Sequence, residues 1–103
     1  MSVHDDPEYR KHYMEAWVKT ELASRLRALR EEQRKTQAEV AAQSGKSLGV
    51  VYRMENARFD TNPRLQTLID VAAALGVWLE VKLVPYEEGF TANCEGCLRL
   101  PRT

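Results

Sequence analysis

Apolar residues recur with a helical period through the first third of the chain. Asp6-Pro7 has the residue types of an N-cap and first helical position, which predicts a helix start. An apolar stripe at helical spacing follows, made of Tyr9, Tyr13, Ala16 and Trp17. The same rhythm continues to about Arg34 through Leu22, Leu26 and Leu29. The pattern leaves open whether residues 7–34 form one helix or two with a bend near Lys19-Thr20.

Two short helices joined by a tight turn are predicted next. Thr36 and Glu39 have the spacing of a capping box, which starts the first of them. Gly45 ends that helix because glycine adopts positive φ readily, and Ser47 is the cap of the second. The second helix has apolar positions three residues apart, at Val51 and Met54. This arrangement is typical of a helix-turn-helix, which places its second helix in the DNA major groove.

A further helix is predicted after a loop at 57–61. Asn62-Pro63 is its expected cap, and Gly76 is its expected C-terminal residue. The predicted core face consists of Leu65, Leu68, Ile69, Ala72 and Leu75.

The period then changes to two over Val77–Val84, which predicts a β-strand closed by Pro85. A lone strand in a helical domain needs a partner for its backbone groups. The same strand of a second subunit would supply one as an antiparallel ribbon about a twofold axis. We therefore assign dimerisation to Val77, Leu79, Val81 and Leu83. The alternative is a strand that lies on the surface of its own domain.

The expected organisation is a short chain with one core. The predicted parts are an N-terminal amphipathic helix at 1–21, a helix-turn-helix domain at 22–76, a dimerisation strand at 77–86 and a tail at 87–103. No apolar run approaches the roughly 18 residues that a membrane span needs, and the N-terminus lacks a signal-peptide core. We expect a cytoplasmic protein without a membrane partner.

The charge is neutral in sum but uneven along the chain. Residues 24–69 hold nine Lys/Arg and five Asp/Glu, whereas residues 1–23 and 70–103 each hold three Lys/Arg and five Asp/Glu. The excess of positive charge thus coincides with the predicted helix-turn-helix, which favours double-stranded DNA as a partner.

The middle of the chain resembles the Cro/C1-type (XRE) helix-turn-helix domain. The motif residues are LRALR at 26–30, TQAEVA at 36–41, Gly45, and Val51 followed by Met54-Glu55-Asn56. The resemblance implies a mainly α, lambda-repressor-like domain, here with the C-terminal strand added. The upstream helix and the downstream strand resemble those of HigA-type antitoxins, and a terminal dimerising strand also occurs in HipB-type antitoxins.

The resemblance also implies DNA contacts. Gln37 matches a glutamine that holds a phosphate, as helix N-termini favour anions. Ser47, Leu48, Gly49 and Arg53 match the positions that face base edges. Arg53 is the best candidate for direct readout because a guanidinium binds guanine O6 and N7 bidentately, although a phosphate contact is the alternative. Since Leu48 and Gly49 replace polar residues of many relatives, DNA shape is expected to contribute to specificity.

Other residues are expected at the edges of this interface. Tyr52 lies beside the readout face, where it either reaches the DNA or packs as a surface aromatic. The predicted phosphate contacts are Lys46, Asn56, Arg58 and Arg64, each with ordinary solvation as the alternative. Glu55 is expected to be structural and to pair with Arg27 or Arg30.

The tail contains one CxxC motif, at Cys94 and Cys97. Zinc usually takes four ligands, and the two histidines, His4 and His12, lie far away in the sequence. We assign no metal and no cofactor; a metal or redox switch remains a minor alternative to reduced thiols in a tail. No catalytic motif is recognisable, so the chain is expected not to be an enzyme.

The resulting hypothesis is a homodimeric repressor that binds a palindromic operator. We expect the antitoxin of a type II toxin–antitoxin pair, which autoregulates its operon and neutralises a RelE/HigB-like toxin. The aromatic stripe of Tyr9, Tyr13 and Trp17, or the C-terminal segment, would bind that toxin, unless the stripe packs on the chain's own core. The alternative is a stand-alone or phage-type repressor without a toxin partner.

Overall fold

Five helices make up the regular structure of the computed structural model, which describes residues 5–56 and 62–93. They are α1 (Pro7–Glu32), α2 (Gln37–Ser44), α3 (Leu48–Glu55), α4 (Leu65–Ala74) and α5 (Tyr86–Asn93). The described residues contain no β-strand. The architecture is therefore all-helical, with α1–α4 around one core and α5 on the N-terminal half of α1.

The first helix is continuous over 26 residues, which answers the question that the sequence left open. It begins as predicted, with Pro7 at the first position and the Asp6 side chain accepting a hydrogen bond from the Glu8 N–H at 3.0 Å. It ends just before Arg34, a non-glycine residue at φ 56°. Backbone groups that would otherwise lack partners are satisfied there, because Lys35 N donates to Arg30 O at 3.1 Å.

The helix-turn-helix forms from the predicted caps. Thr36 Oγ1 accepts from Glu39 N at 3.1 Å, and Glu39 Oε1 accepts from Thr36 N at 3.2 Å, which completes the capping box. Gly45 ends α2 at φ 70°. Ser47 Oγ then accepts from Val50 N at 3.2 Å and starts α3. These local hydrogen bonds fix the turn between the two helices.

One apolar core joins α1, α2, α3 and α4. Its buried members are Leu26, Val40, Ala41, Val51, Met54, Val71 and Leu75. Of the residues predicted for the core face of α4, Ala72 and Leu75 are buried and Leu68 packs partly against the core, but Leu65 and Ile69 are 62% and 43% exposed. The prediction was wrong for those last two residues because only a narrow side of α4 packs on the core, although apolar residues cover a wider part of the helix. The buried Val71 was not among the predicted residues.

The ends of α4 differ in how well they were predicted. Arg64, rather than Asn62, occupies the N-cap position of α4, and its side chain forms no cap hydrogen bond. Gly76 has φ 69°, as expected of a C-terminal residue, and Val77 N donates to Ala72 O at 3.0 Å. The carbonyls near this end also accept from residues after α1: Gln33 Nε2 donates to Leu75 O at 2.6 Å, and Lys35 Nζ to Ala74 O at 3.2 Å.

The strand predicted at 77–86 is absent from this single chain. Residues 77–85 carry neither helix nor strand, and Tyr86 already belongs to α5. A β-strand needs a neighbouring strand to which its backbone can hydrogen-bond, and no other described segment is one. Val77 packs against the core, Leu79 is half-buried, and Val81 and Leu83 are 71% and 98% exposed. The four residues assigned to dimerisation therefore differ in exposure, and only Val81 and Leu83 are largely open to solvent.

The N-terminal aromatic residues pack in part on α5, a helix that the sequence pattern did not indicate. The ring centroids of Tyr13 and Phe90 are 5.1 Å apart, and those of Tyr86 and Phe90 are 5.8 Å apart. Tyr9 stacks on Tyr13 at 6.5 Å. Tyr13 thus packs on α5 and not on the apolar core that the alternative named.

A buried ion pair joins α1 to α3. Arg30 donates to Glu55 through Nε at 2.7 Å and through Nη2 at 3.0 Å, and its Nη1 donates to Lys35 O at 2.8 Å. The Glu55 side chain is 3% exposed. The hydrogen bonds to the Glu55 carboxylate raise the pKa of the Arg30 guanidinium above its ordinary value. Of the two predicted arginine partners, Arg30 is therefore the one used, while Arg27 bonds to Glu31.

Removal of one member of this pair should destabilise the domain. Glu55→Leu leaves a guanidinium without its carboxylate, so we expect the free energy of unfolding to fall by about 3 kcal/mol in urea denaturation. The double variant Arg30→Met/Glu55→Leu removes both charges and should lose less than the sum of the two single variants. Additive losses would contradict a direct coupling between the two side chains.

Candidate nucleic-acid interface

One side of α3 faces solvent, opposite the side buried in the core. Val51, Met54 and Glu55 are buried. The exposed residues of α3 and its two caps are Ser47, Leu48, Tyr52, Arg53 and Asn56. With half-buried Gly49, these are the residues that the sequence placed at the readout face or beside it. Leu48 and Tyr52 are 53% and 49% exposed, so this surface offers apolar contact as well as charge.

Arg53 lies along the surface of its own helix, over Gly49. A Cβ built on Gly49 would lie 3.3 Å from Arg53 Nη1. The glycine therefore leaves the space that the guanidinium occupies. Arg53 forms no ion pair with another described residue, so no described acid competes with a ligand for its donors.

Gln37 is attached to the buried ion pair. Its Nε2 donates to Glu55 Oε1 at 3.3 Å, and the residue is half-buried at the start of α2. Because Glu55 also bonds to Arg30, one carboxylate positions the beginning of α2, the end of α3 and α1 relative to one another. Gln37 is thus oriented by the fold, as a residue that holds a phosphate needs to be.

Lys46 is not a free cation in this structure. Its Nζ lies 3.0 Å from Asp70 Oδ2 on α4. The hydrogen bond from Gln66 and, to a lesser extent, that from Lys46 lower the pKa of Asp70 below its ordinary value. This acid faces the predicted interface and was not identified from the sequence, because no local pattern links residues 24 positions apart.

The remaining predicted contacts lie at the end of α3 and beyond it. Asn56 donates from Nδ2 to Tyr52 O at 2.6 Å and so bonds to the last turn of its own helix. Arg58 lies outside the described residues. Arg64 is exposed, and it lines a pocket of about 380 Å³ together with Arg53, Asn62 and Pro63. Arg53 and Arg64 therefore border the same depression.

The helix-turn-helix family model matches residues 26–80, which is just over half of the chain. The protein belongs to the Cro/C1-type helix-turn-helix family. As a member of that family it is a DNA-binding transcription regulator. No curated protein and no solved structure matches the chain significantly. The matched region contains the two-helix motif, the Arg30–Glu55 pair and all of α4.

Two further observations concern the described residues only. None of their helices combines the length and apolar character required to cross a bilayer. They also contain no cluster of three or more His, Cys, Asp or Glu side chains arranged to hold a metal ion. Cys94 and Cys97 lie outside the described residues.

Substitution of Asp70 should strengthen DNA binding. Asp70→Asn removes a negative charge beside the interface and releases Lys46, so we expect severalfold higher affinity for duplex DNA and a steeper salt dependence, by up to about one unit of log K against log salt. Fluorescence anisotropy at several salt concentrations measures both. The pKa of Asp70 is lowered from a value that already lies well below neutral pH, so its carboxylate stays ionised there and the substitution is needed to remove its charge.

Glu21→Gln is the matched control for this experiment. It also removes one acid from an ion pair, since Glu21 Oε1 lies 2.7 Å from Arg25 Nε, but it lies on α1, outside α2, α3 and α4. An equal rise in affinity for both variants would mean that net charge alone, and not the release of Lys46, causes the effect.

Proposed function

We propose that the protein is a repressor in which α3 is the recognition helix and Arg53 its principal base-reading residue. The observation that carries the proposal is the solvent-facing side of α3, where the Arg53 guanidinium lies over Gly49 without an acidic partner among the described residues. A guanidinium in this setting can bind guanine bidentately. Leu48 can contact a thymine methyl group, and Gln37 can hold a phosphate at the start of α2.

Arg53→Ala should weaken binding to a specific DNA site roughly 10- to 100-fold, because one bidentate base contact is lost. The site is obtained by enrichment of a random duplex library on the wild-type protein, and affinity is measured by anisotropy. Circular dichroism checks that the variant remains folded, as expected for an exposed side chain.

The matched control is Arg25→Ala. Arg25 is also an exposed arginine, but it lies on α1, where Arg25 Nε is 2.7 Å from Glu21 Oε1. It should leave specific binding unchanged. Equal affinity of the Arg53 variant and the wild type would show that α3 is not the recognition helix.

We also propose that the protein binds a palindromic operator as a homodimer through residues 78–84. Trp78, Val81 and Leu83 are 90%, 71% and 98% exposed, which is unusual for large apolar side chains so close together. The backbone groups of residues 78–84 form no hydrogen bonds with the backbone of other described residues. A second copy would cover both the side chains and these backbone groups, and it would supply a second recognition helix.

Leu83→Asp should convert the dimer into a monomer, because the interface would have to bury an unpaired carboxylate. Sedimentation or light scattering on the full chain measures the mass. Leu65→Asp is the matched control, since Leu65 is also an exposed leucine, 62% accessible, but lies at the start of α4. A monomeric wild-type protein, or a Leu83 variant that stays dimeric, would contradict this interface.

The second candidate function is that of an antitoxin for a RelE/HigB-like ribonuclease. The observation that favours it is an apolar groove of about 330 Å³ beside α1, whose lining includes Trp17, Val84, Pro85 and Phe90. A regulator that binds only DNA has no need of such a groove, whereas a partner protein can fill it with a large side chain. Trp17 thereby remains part of the proposed toxin surface, although Tyr13 packs on Phe90.

Co-expression with the adjacent reading frame tests the antitoxin proposal. The two proteins should purify together in a fixed ratio, and Trp17→Ala should abolish this association while Tyr52→Ala, an aromatic substitution on α3, should not. Helicity measured in parallel shows whether the Trp17 variant is folded. The absence of any partner from the adjacent frame would favour the stand-alone repressor.

A further inference from the structure

A second groove, which shares Met14 and Val18 with the one beside α5, runs along α1 toward the recognition helix. Its volume is about 500 Å³, within the range of small-molecule sites. The apolar side chains that line it are Met14, Val18 and Leu22 on α1, and Met54, Pro63 and Leu68 opposite. Met14 and Val18 are 49% and 51% exposed, so the groove is open to solvent.

One end of this groove is strongly basic. Arg53, Asn62 and Pro63 line both the groove and the neighbouring pocket of about 380 Å³, to which Arg64 contributes. Neither arginine forms an ion pair with another described residue. An apolar channel therefore leads to Arg53 and, in the adjoining pocket, to Arg64, two arginines whose charge is not balanced within the described chain.

Other charges along the groove do not reverse this polarity. Lys11, Lys19 and Glu15 are the ionisable residues on its α1 side. Glu15 is paired with Lys19 at 3.1 Å, and that hydrogen bond lowers the pKa of the carboxyl group. The acid is thus neutralised locally, and the groove as a whole attracts an anion.

We propose that this groove binds a small amphipathic carboxylate with an aliphatic tail. The tail lies between Val18 and Met54, and the carboxylate reaches Arg53 and Arg64, whose guanidinium groups bind carboxylates through paired hydrogen bonds. A neutral molecule would leave both guanidinium groups unpaired, and a short anion without a tail would not fill the apolar part.

The ligand would also compete with DNA. Arg53 cannot bind a carboxylate and a guanine at once, so occupation of the groove lowers the affinity for the operator. This consequence rests on the proposed function, whereas the ligand site itself does not. The ligand would thereby act as an inducer that relieves repression.

Titration of decanoate into the full-length chain tests the site. Isothermal calorimetry should show saturable binding of one molecule per chain. Decanol, which has the same tail without the charge, should bind at least about tenfold more weakly, because charge-assisted hydrogen bonds are lost. Absence of saturable binding, or equal binding of decanol, would overturn the proposal.

Two valine variants locate the bound molecule. Val18 and Val84 are both 51% exposed, but Val18 lines both grooves and Val84 lines only the one beside α5. Val18→Asp should therefore abolish decanoate binding, and Val84→Asp distinguishes the two grooves. Retained binding in the Val84 variant agrees with the assignment, whereas lost binding would place the ligand beside α5 and overturn it. If Val18→Asp loses helicity, Met14→Glu replaces it, since Met14 also lines both grooves.

Competition is measured separately, with the enriched DNA fragment. Decanoate at saturation should weaken DNA binding by about tenfold in the wild type and have no effect on the Val18→Asp variant. If DNA affinity is unchanged while decanoate is bound, the proposed competition is refuted, but the proposed ligand site is not. If the wild-type protein does not bind the DNA fragment even in the absence of decanoate, that result would instead count against the proposed function.

Discussion

The buried ion pair between Arg30 and Glu55 is the contact on which the geometry of the motif depends. Three helices meet at the two carboxylate oxygens, since Arg30 comes from α1, Glu55 from the last turn of α3, and Gln37 from the first turn of α2. Apolar packing alone permits small rotations of such short helices, whereas bidentate hydrogen bonds restrict their directions. The exposed side of α3 therefore has a fixed orientation relative to the start of α2.

The distribution of cations matters more to this surface than their number. Arg30 and Lys46 belong to the basic middle of the chain, yet each is paired with an acid, Glu55 or Asp70. Arg53 and Arg64 have no such partner among the described residues. Arg34 and Lys35 also have no acidic partner there, so the unpaired positive charge of this part of the chain lies just before α2, at the end of α3 and at the start of α4. A zero net charge on the whole chain is compatible with this local field.

Features that depend on neighbouring residues could be predicted from the sequence, and features that depend on distant ones could not. The capping box of Thr36 and the left-handed Gly45 and Gly76 follow from local backbone chemistry. The choice of Arg30 over Arg27, the Lys46–Asp70 pair and the exposure of Leu65 depend on how the helices cross. The same limit applies to the alternating segment after Gly76. A two-residue period indicates that the segment suits a β-strand, but it does not show whether a second strand is present to pair with it.

The continuity of α1 has a mechanical consequence. A helix of 26 residues is about 39 Å long, and no break separates its aromatic N-terminal half from Arg30 near its C-terminus. A displacement of one half is therefore passed to the other through the helix backbone itself. A molecule that tilts the N-terminal half also displaces Arg30, and with it the carboxylate that orients α3. The helix thus connects a surface outside the DNA-binding motif, at its N-terminal half, to the ion pair that orients α3, at its C-terminal end.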